Sequence, residues 1–197
     1  MPLHPVIAGR FSARGFDSDT TISDEQLDVI LEAARWAPTW GKSQPVRFIV
    51  GKRGDTTFEA LAGDLTAGNI AWASRAAALI LVCTRDIPDD ETMQTYGAVD
   101  LGLALSQLIL QAVADGFSAH PMAGFNASAT FERFSIPAGE RPLVMVAIGT
   151  LMPDDQKEPE IADYDNRQRF RRPLTEVAFT ERWGHSLHPA AHRPPSR

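Results

Sequence analysis

Ala37-Pro38-Thr39-Trp40-Gly41-Lys42-Ser43-Gln44-Pro45-Val46-Arg47-Phe48 joins an amphipathic helix to a strand, and the rest of the chain is read outward from this junction. Upstream, Ser23-Asp24-Glu25-Gln26 has the pattern of a capping box, in which the serine hydroxyl and the glutamine side chain satisfy backbone N–H groups of the first turn reciprocally. The helix that starts there places Leu27, Ile30, Leu31 and Ala34 on one apolar face, and Pro38 ends it. Downstream, Val46 to Val50 reads as a strand closed by the turn Gly51-Lys52-Arg53-Gly54.

Beyond the turn, Thr56 to Leu65 reads as a second, shorter helix. Ala77 to Cys83 is apolar without alternation, which predicts a central strand covered on both faces. Thr95 to Ala114 carries Val99, Leu101, Leu105, Leu108, Ile109, Ala112 and Val113 with small residues between them, and Gly116 supplies the left-handed exit; this is a long core helix. Leu143 to Ile148 repeats the buried-strand pattern. Residues 153 to 165, acidic and punctuated by proline, are expected to form an exposed excursion. Residues 1–184 are therefore expected to make one domain and 185–197, with almost no core-forming side chains, a disordered tail.

The 197-residue chain has an ordinary apolar share of 44% and 22% charged residues. Its formal charge of −6 argues against nucleic acid as a partner, because such binding depends on cations neutralising phosphates. The single cysteine, Cys83, leaves no intrachain disulfide or cysteine-rich zinc site, and its apolar surroundings mark it as a small buried hydrophobe. No signal-like stretch opens the chain, and no apolar run reaches the roughly 20 residues needed to cross a bilayer, so a cytoplasmic protein without a membrane partner is expected. His185, His188 and His192 are spaced for one helix face, but Pro189 interrupts that helix and no carboxylate joins them, so no metal site is assigned. A Gly-x-Gly-x-x-Gly run after a buried strand is missing, which removes the usual dinucleotide-binding signature.

Two basic clusters carry the chemistry. Arg10, Ser12 and Arg14 alternate around Phe11, and two guanidinium groups with a hydroxyl form a fork for a phosphate or another planar anion; a solvated basic arm is the plainer reading. Arg167, Arg169, Arg171 and Arg172 crowd into six residues before Pro173-Leu174, either as a second anion site or as a charge run offsetting the acidic segment upstream.

The order Arg10-x-Ser12-x-Arg14, Ala37-Pro38-Thr39 with Gln44-Pro45, Asn69 in Gly68-Asn69-Ile70-Ala71-Trp72, Met122-Ala123-Gly124-Phe125-Asn126, and Arg169-Phe170-Arg171-Arg172-Pro173-Leu174 resembles the nitroreductase family. The resemblance implies an α+β fold, a mixed and mainly antiparallel sheet flanked by helices, in an intertwined homodimer with FMN at the subunit interface. It places Arg10, Ser12, Arg169 and Arg171 at the FMN phosphate with Phe11 beside them, and Arg14 and Asn69 at the pyrimidine edge. Backbone N–H groups near Ala123 and Gly124 would face flavin N5, while Pro38, Thr39 and Ser43 would come from the partner subunit. A cation such as Arg14 would stabilise the negative charge that a reduced flavin gathers near N1.

Two positions depart from the family pattern: Lys42 replaces the usual asparagine and Val46 the usual tryptophan. Lys42, Trp40 and His120 are candidate substrate residues; packing at the subunit contact is the alternative for Trp40, and a satisfied strand-end histidine for His120. No protein group is required as an obligatory catalyst. The implied activity is hydride transfer from NADH or NADPH through FMN to a nitroaromatic, quinone or activated alkene or carbonyl, with ping-pong kinetics. Dehydrogenation, dehalogenation or flavin cleavage in the same pocket, and a non-enzymatic flavin- or anion-binding role, stand as alternatives.

Overall fold

A computed structural model describes residues 2–187. They divide into two compact units, one running to Asp165 and the second starting at Asn166. In the first unit, α1 (Pro5–Gly9), α2 (Asp24–Arg35), β1 (Arg47–Lys52), α3 (Thr56–Gly63), α4 (Ala67–Ala73), β2 (Ala78–Arg85), α5 (Glu91–Ala114), β3 (Ser118–Met122), α6 (Ala127–Arg133) and β4 (Glu140–Gly149) follow in order, and α7 (Pro159–Asn166) ends at the division.

The capping box forms as read. The Ser23 hydroxyl accepts from the Gln26 N–H at 3.2 Å, and the Gln26 side chain accepts from the Ser23 N–H at 2.9 Å. The four strands pair in the order β1-β2-β4-β3, and every pairing among them is antiparallel, in keeping with the expected α+β fold built on a mainly antiparallel sheet. Each connection between paired strands reverses direction across the sheet, so no parallel crossover is needed.

The buried-strand reading of β2 holds because each of its faces meets a separate apolar layer. Ala78, Ile80 and Val82 pack with Val146 and Ile148 of β4 against α2 and α5. Leu79, Leu81 and Cys83 pack with Met145 and Ala147 against Phe58 and Leu61 of α3 and Trp72 of α4. Burying each large aliphatic side chain contributes roughly 1.5–3 kcal/mol, which explains why a strand without alternation is stable only between two layers. The Cys83 thiol sits in the second layer, and burial, helped by Glu140, pushes its pKa up from 9.0 to about 12.

The long helix starts at Glu91, four residues earlier than expected, where the Asp90 side chain accepts from the Met93 N–H at 2.8 Å. By length and composition α5 is the one helix among the described residues that could cross a bilayer, although no continuous apolar run was legible. It packs on α2 and the sheet in the manner of a core helix.

Residues 153–165 are not a solvated excursion throughout. Side chains of Lys157 and Asp165 are 4% and 2% exposed and pair at 3.1 Å. In the second unit, Phe179 bridges Ser186, and Leu187 N–H donates to Ala178; the expected tail thus begins with paired residues, and positions 188–197, including His188 and His192, lie outside the described residues.

Candidate functional site

Two groups of expected site residues are built in different ways. The first is the arm after α1, residues 10–16. Main-chain N–H groups of Arg14 and Gly15 donate to the two oxygens of Asp165 at 2.8 and 3.1 Å. A Cβ on Gly15 would fall 2.6 Å from Lys157 Cε and 2.9 Å from Asp165 Oδ2, so only glycine lets the arm approach this ion pair. Burial alone would lower the Lys157 pKa, but its hydrogen bonds to Asp154 and Asp165 outweigh that and hold it above the ordinary lysine value.

The Arg14 guanidinium lies over the Tyr164 ring, 3.7 Å from its centroid, and 5.5 Å from the centroid of Trp72. His120 stacks on Trp72 with centroids 4.4 Å apart, and its Nδ1 bonds the Ala13 carbonyl at 2.8 Å. The substrate candidate His120 is thus 9% exposed and bonded to the main chain of the arm. Arg14 Nε and Trp72 Nε1 are buried and have no hydrogen-bond partner among the described residues. Buried donors without partners are costly, and such donors are a feature of sites that complete their bonding with a ligand.

One helical turn before Trp72, Asn69 donates through its amide to the Gly124 carbonyl at 3.0 Å, and Thr66 donates to the same oxygen through its N–H and its hydroxyl. A Cβ on Gly124 would lie 2.5 Å from Asn69 Nδ2 and 2.9 Å from Thr66 Oγ1. The Ala123–Gly124 turn is thus clamped onto α4 with space for hydrogen at position 124. Asp64, its side chain 3% exposed, pairs with Arg133 at 2.9 Å and raises the arginine's pKa, while its carbonyl accepts from the Asn126 N–H and fixes the far side of the turn.

The second group is the junction Pro38–Ser43. Asp100 of α5 is 2% exposed and accepts from the Trp40 N–H at 2.9 and 3.1 Å and from the Ser43 hydroxyl at 3.2 Å. Trp40 and Tyr96 stack nearly parallel, centroids 5.1 Å apart, and both stay about half exposed. Lys42 is exposed at the tip of the turn. Asp100 was not singled out from the sequence. Its signal was there, since it shares the buried face of α5 with Gly97, Leu101, Ala104 and Leu108, and a buried carboxylate needs donors nearby.

Two clefts flank these groups. The larger, 1280 Å³, runs between α2, β1 and α5 and takes in Trp36, Thr39, Gln44 and Phe48, but neither Arg14 nor Asn69 nor Gly124 lines it. A smaller one of 410 Å³ lies between α1 and α5 and takes in Arg10, Ile7 and Ser106. Phe11 and Ser12 are half-buried beside Arg10 in the arm. Arg169 and Arg171 belong to the second unit, where both are exposed and Arg171 donates to the Phe170 carbonyl at 2.7 Å. Among the described residues, no cluster of His, Cys, Asp and Glu has the makings of a metal site.

The nitroreductase family profile matches residues 7–150. The uncharacterized 15.4 kDa protein of the ask 5′ region in Mycolicibacterium smegmatis is 46% identical over 150 residues, 72% of this chain and all of that protein. An oxidoreductase containing FMN superposes with a TM-score of 0.85 at 31% identity, over 94% of this chain and 95% of its own. A nitroreductase family protein from Clostridium difficile 630 follows at 0.71 and 24%, over 92% and 99%. With the arm, the clamped glycine turn and the capped helix all inside the matched segment, the chain belongs to the nitroreductase family.

Proposed function

We propose that the chain is an FMN-dependent oxidoreductase that takes electrons from NADH or NADPH and delivers them in pairs to a nitroaromatic, a quinone or an activated alkene or carbonyl compound. The observation that carries the reading is Arg14: a cation with its main chain pinned, its guanidinium stacked, and a buried Nε that lacks a partner. FMN fits this donor set, because its pyrimidine edge offers planar acceptors and its phosphate suits Arg10 and Ser12. The FMN-containing neighbour at 31% identity supports the same cofactor.

When bound, FMN supplies the two-electron chemistry, and the chain supplies position and charge. Arg14 holds a positive charge where negative charge develops, and it does so without reorganising at that moment. Gly124 keeps side-chain bulk away from the ring, and Asn69 holds that turn in place. Arg169 and Arg171 are assigned to the phosphate through the family motif.

The same reading makes the protein a homodimer in which Pro38, Thr39 and Ser43 serve the partner's flavin. Tyr96, Val99 and Leu103 are each at least 40% exposed along one side of α5, an apolar stripe of the kind that association covers. Trp40 and Lys42 then face the acceptor, with Trp40 offering a flat wall and Lys42 a cation.

Initial-rate kinetics test the assignment. Double-reciprocal plots of NADPH or NADH oxidation at several concentrations of a quinone or nitroaromatic should give parallel lines, as expected when one substrate leaves before the other binds. Nucleotide oxidation that no such acceptor accelerates would contradict the reductase reading.

A further inference from the structure

The pairing of Tyr164 with Asp165 on one turn of α7 addresses a single residue of the arm twice. Asp165 takes the Arg14 and Gly15 N–H groups, while the Arg14 guanidinium lies over the Tyr164 ring, 3.7 Å from Cζ to ring centroid. Lys157 holds Asp165 from behind at 3.1 Å. Tyr164 itself stacks at 6.5 Å on His120, which also stacks on Trp72 and bonds the Ala13 carbonyl. Backbone and side chain of Arg14 are therefore both restrained by a segment that lies about 150 residues downstream.

We propose that Tyr164 is a positioning residue: it fixes the plane of the Arg14 guanidinium and so sets how strongly the site prefers reduced over oxidised flavin. The inference rests on the FMN reading above. An arginine side chain gives up much rotamer freedom when it is held in one geometry. Stacking on an aromatic face confines the guanidinium before any ligand arrives, so the charge faces the flavin edge without further ordering. Reduced flavin carries the additional negative charge, so loss of this confinement weakens binding of the reduced form more than that of the oxidised form. A tyrosine that only fills space would, when removed, weaken both forms alike.

The test compares wild type, Y164F, Y164L and Y164M. FMN affinity is measured by titration in the oxidised protein and again under excess dithionite, and the ratio of the two is the readout. Y164F keeps the ring and should stay within about twofold of wild type, while Y164L and Y164M should lose about tenfold of the preference for reduced FMN, the scale of a desolvated cation–π contact. Having two aliphatic variants keeps the comparison open where one folds poorly. Equal losses in both flavin states, or a Y164F ratio as low as that of Y164L, would overturn the positioning role while leaving the FMN reading intact. Failure of wild type to take up FMN in either state would overturn the functional reading and this inference with it.

Discussion

The arm at residues 10–16 and the junction at residues 38–43 are both expected to meet the flavin, yet three side chains from elsewhere in the fold hold the one and a single carboxylate the other. The arm has Asp165 on its main chain, His120 beneath it and Tyr164 against its arginine. The junction hangs from a single carboxylate, Asp100, and its aromatic pair remains half exposed. The arm is thus organised within one chain, whereas the junction leaves its Trp40–Tyr96 face half exposed. The 1280 Å³ cleft includes Thr39 of the junction and nothing of the arm.

The strongest way to break this contrast is to cut both anchors. Asp165→Ala leaves two buried N–H groups and the Lys157 ammonium short of an acceptor, and urea unfolding should show a loss of roughly 3 kcal/mol. Asp100→Ala frees N–H and O–H groups beside solvent, which water can satisfy, and should cost about 1 kcal/mol. Equal losses would mean that the junction is as firmly built as the arm.

Gly124→Ala sharpens the comparison on the arm's side. The added methyl would displace the Asn69 amide and Thr66 hydroxyl, and FMN titration should show affinity reduced about tenfold, with overall stability lowered by about 1 kcal/mol. Unchanged FMN affinity would separate this turn from the cofactor.

Alkaline pH should act on the clasp and the core together. The folded Lys157 has a raised pKa, so its contribution is fully present below the ordinary lysine value of 10.5 and is lost as pH rises through the folded value. Cys83 in the folded protein keeps its proton to about pH 12, whereas the unfolded chain sheds it above 9.0, so stability falls across that interval too. Urea midpoints should decline from pH 9 upward, and Cys83→Ala should flatten the early part of the decline. The smallest expected effect is Trp40→Ala, with stability changed by no more than about 0.5 kcal/mol and the KM of an aromatic acceptor raised several-fold in steady-state assays.

Local rules carried much of this organisation. The Ser23 capping box, the face of α2 and the two-sided burial of β2 and β4 were legible because each depends on residues close in sequence. Strand β3 was not, since it is five residues long with His120 and Pro121 in it. Helix α4 lacks a side-chain cap bond, and α6 is a single short helix anchored by Asp64 from far upstream. Long-range electrostatics hid the rest: Lys157 and Asp165 read as solvated charges until the fold paired them over Gly15. The motif residues Arg14, Ser43, Asn69 and Gly124 were named by resemblance, whereas Asp100, which holds the junction, and Tyr164 and Asp165, which hold Arg14, came only with the structure.

The most direct measurement is the visible spectrum of the purified protein titrated with FMN and then mixed anaerobically with NADPH or NADH. The account predicts a saturable bound-flavin spectrum that bleaches with at least one nucleotide and recovers when a quinone is added. A protein that leaves the FMN spectrum unchanged at every concentration, or binds it and stays yellow with both nucleotides, would contradict it.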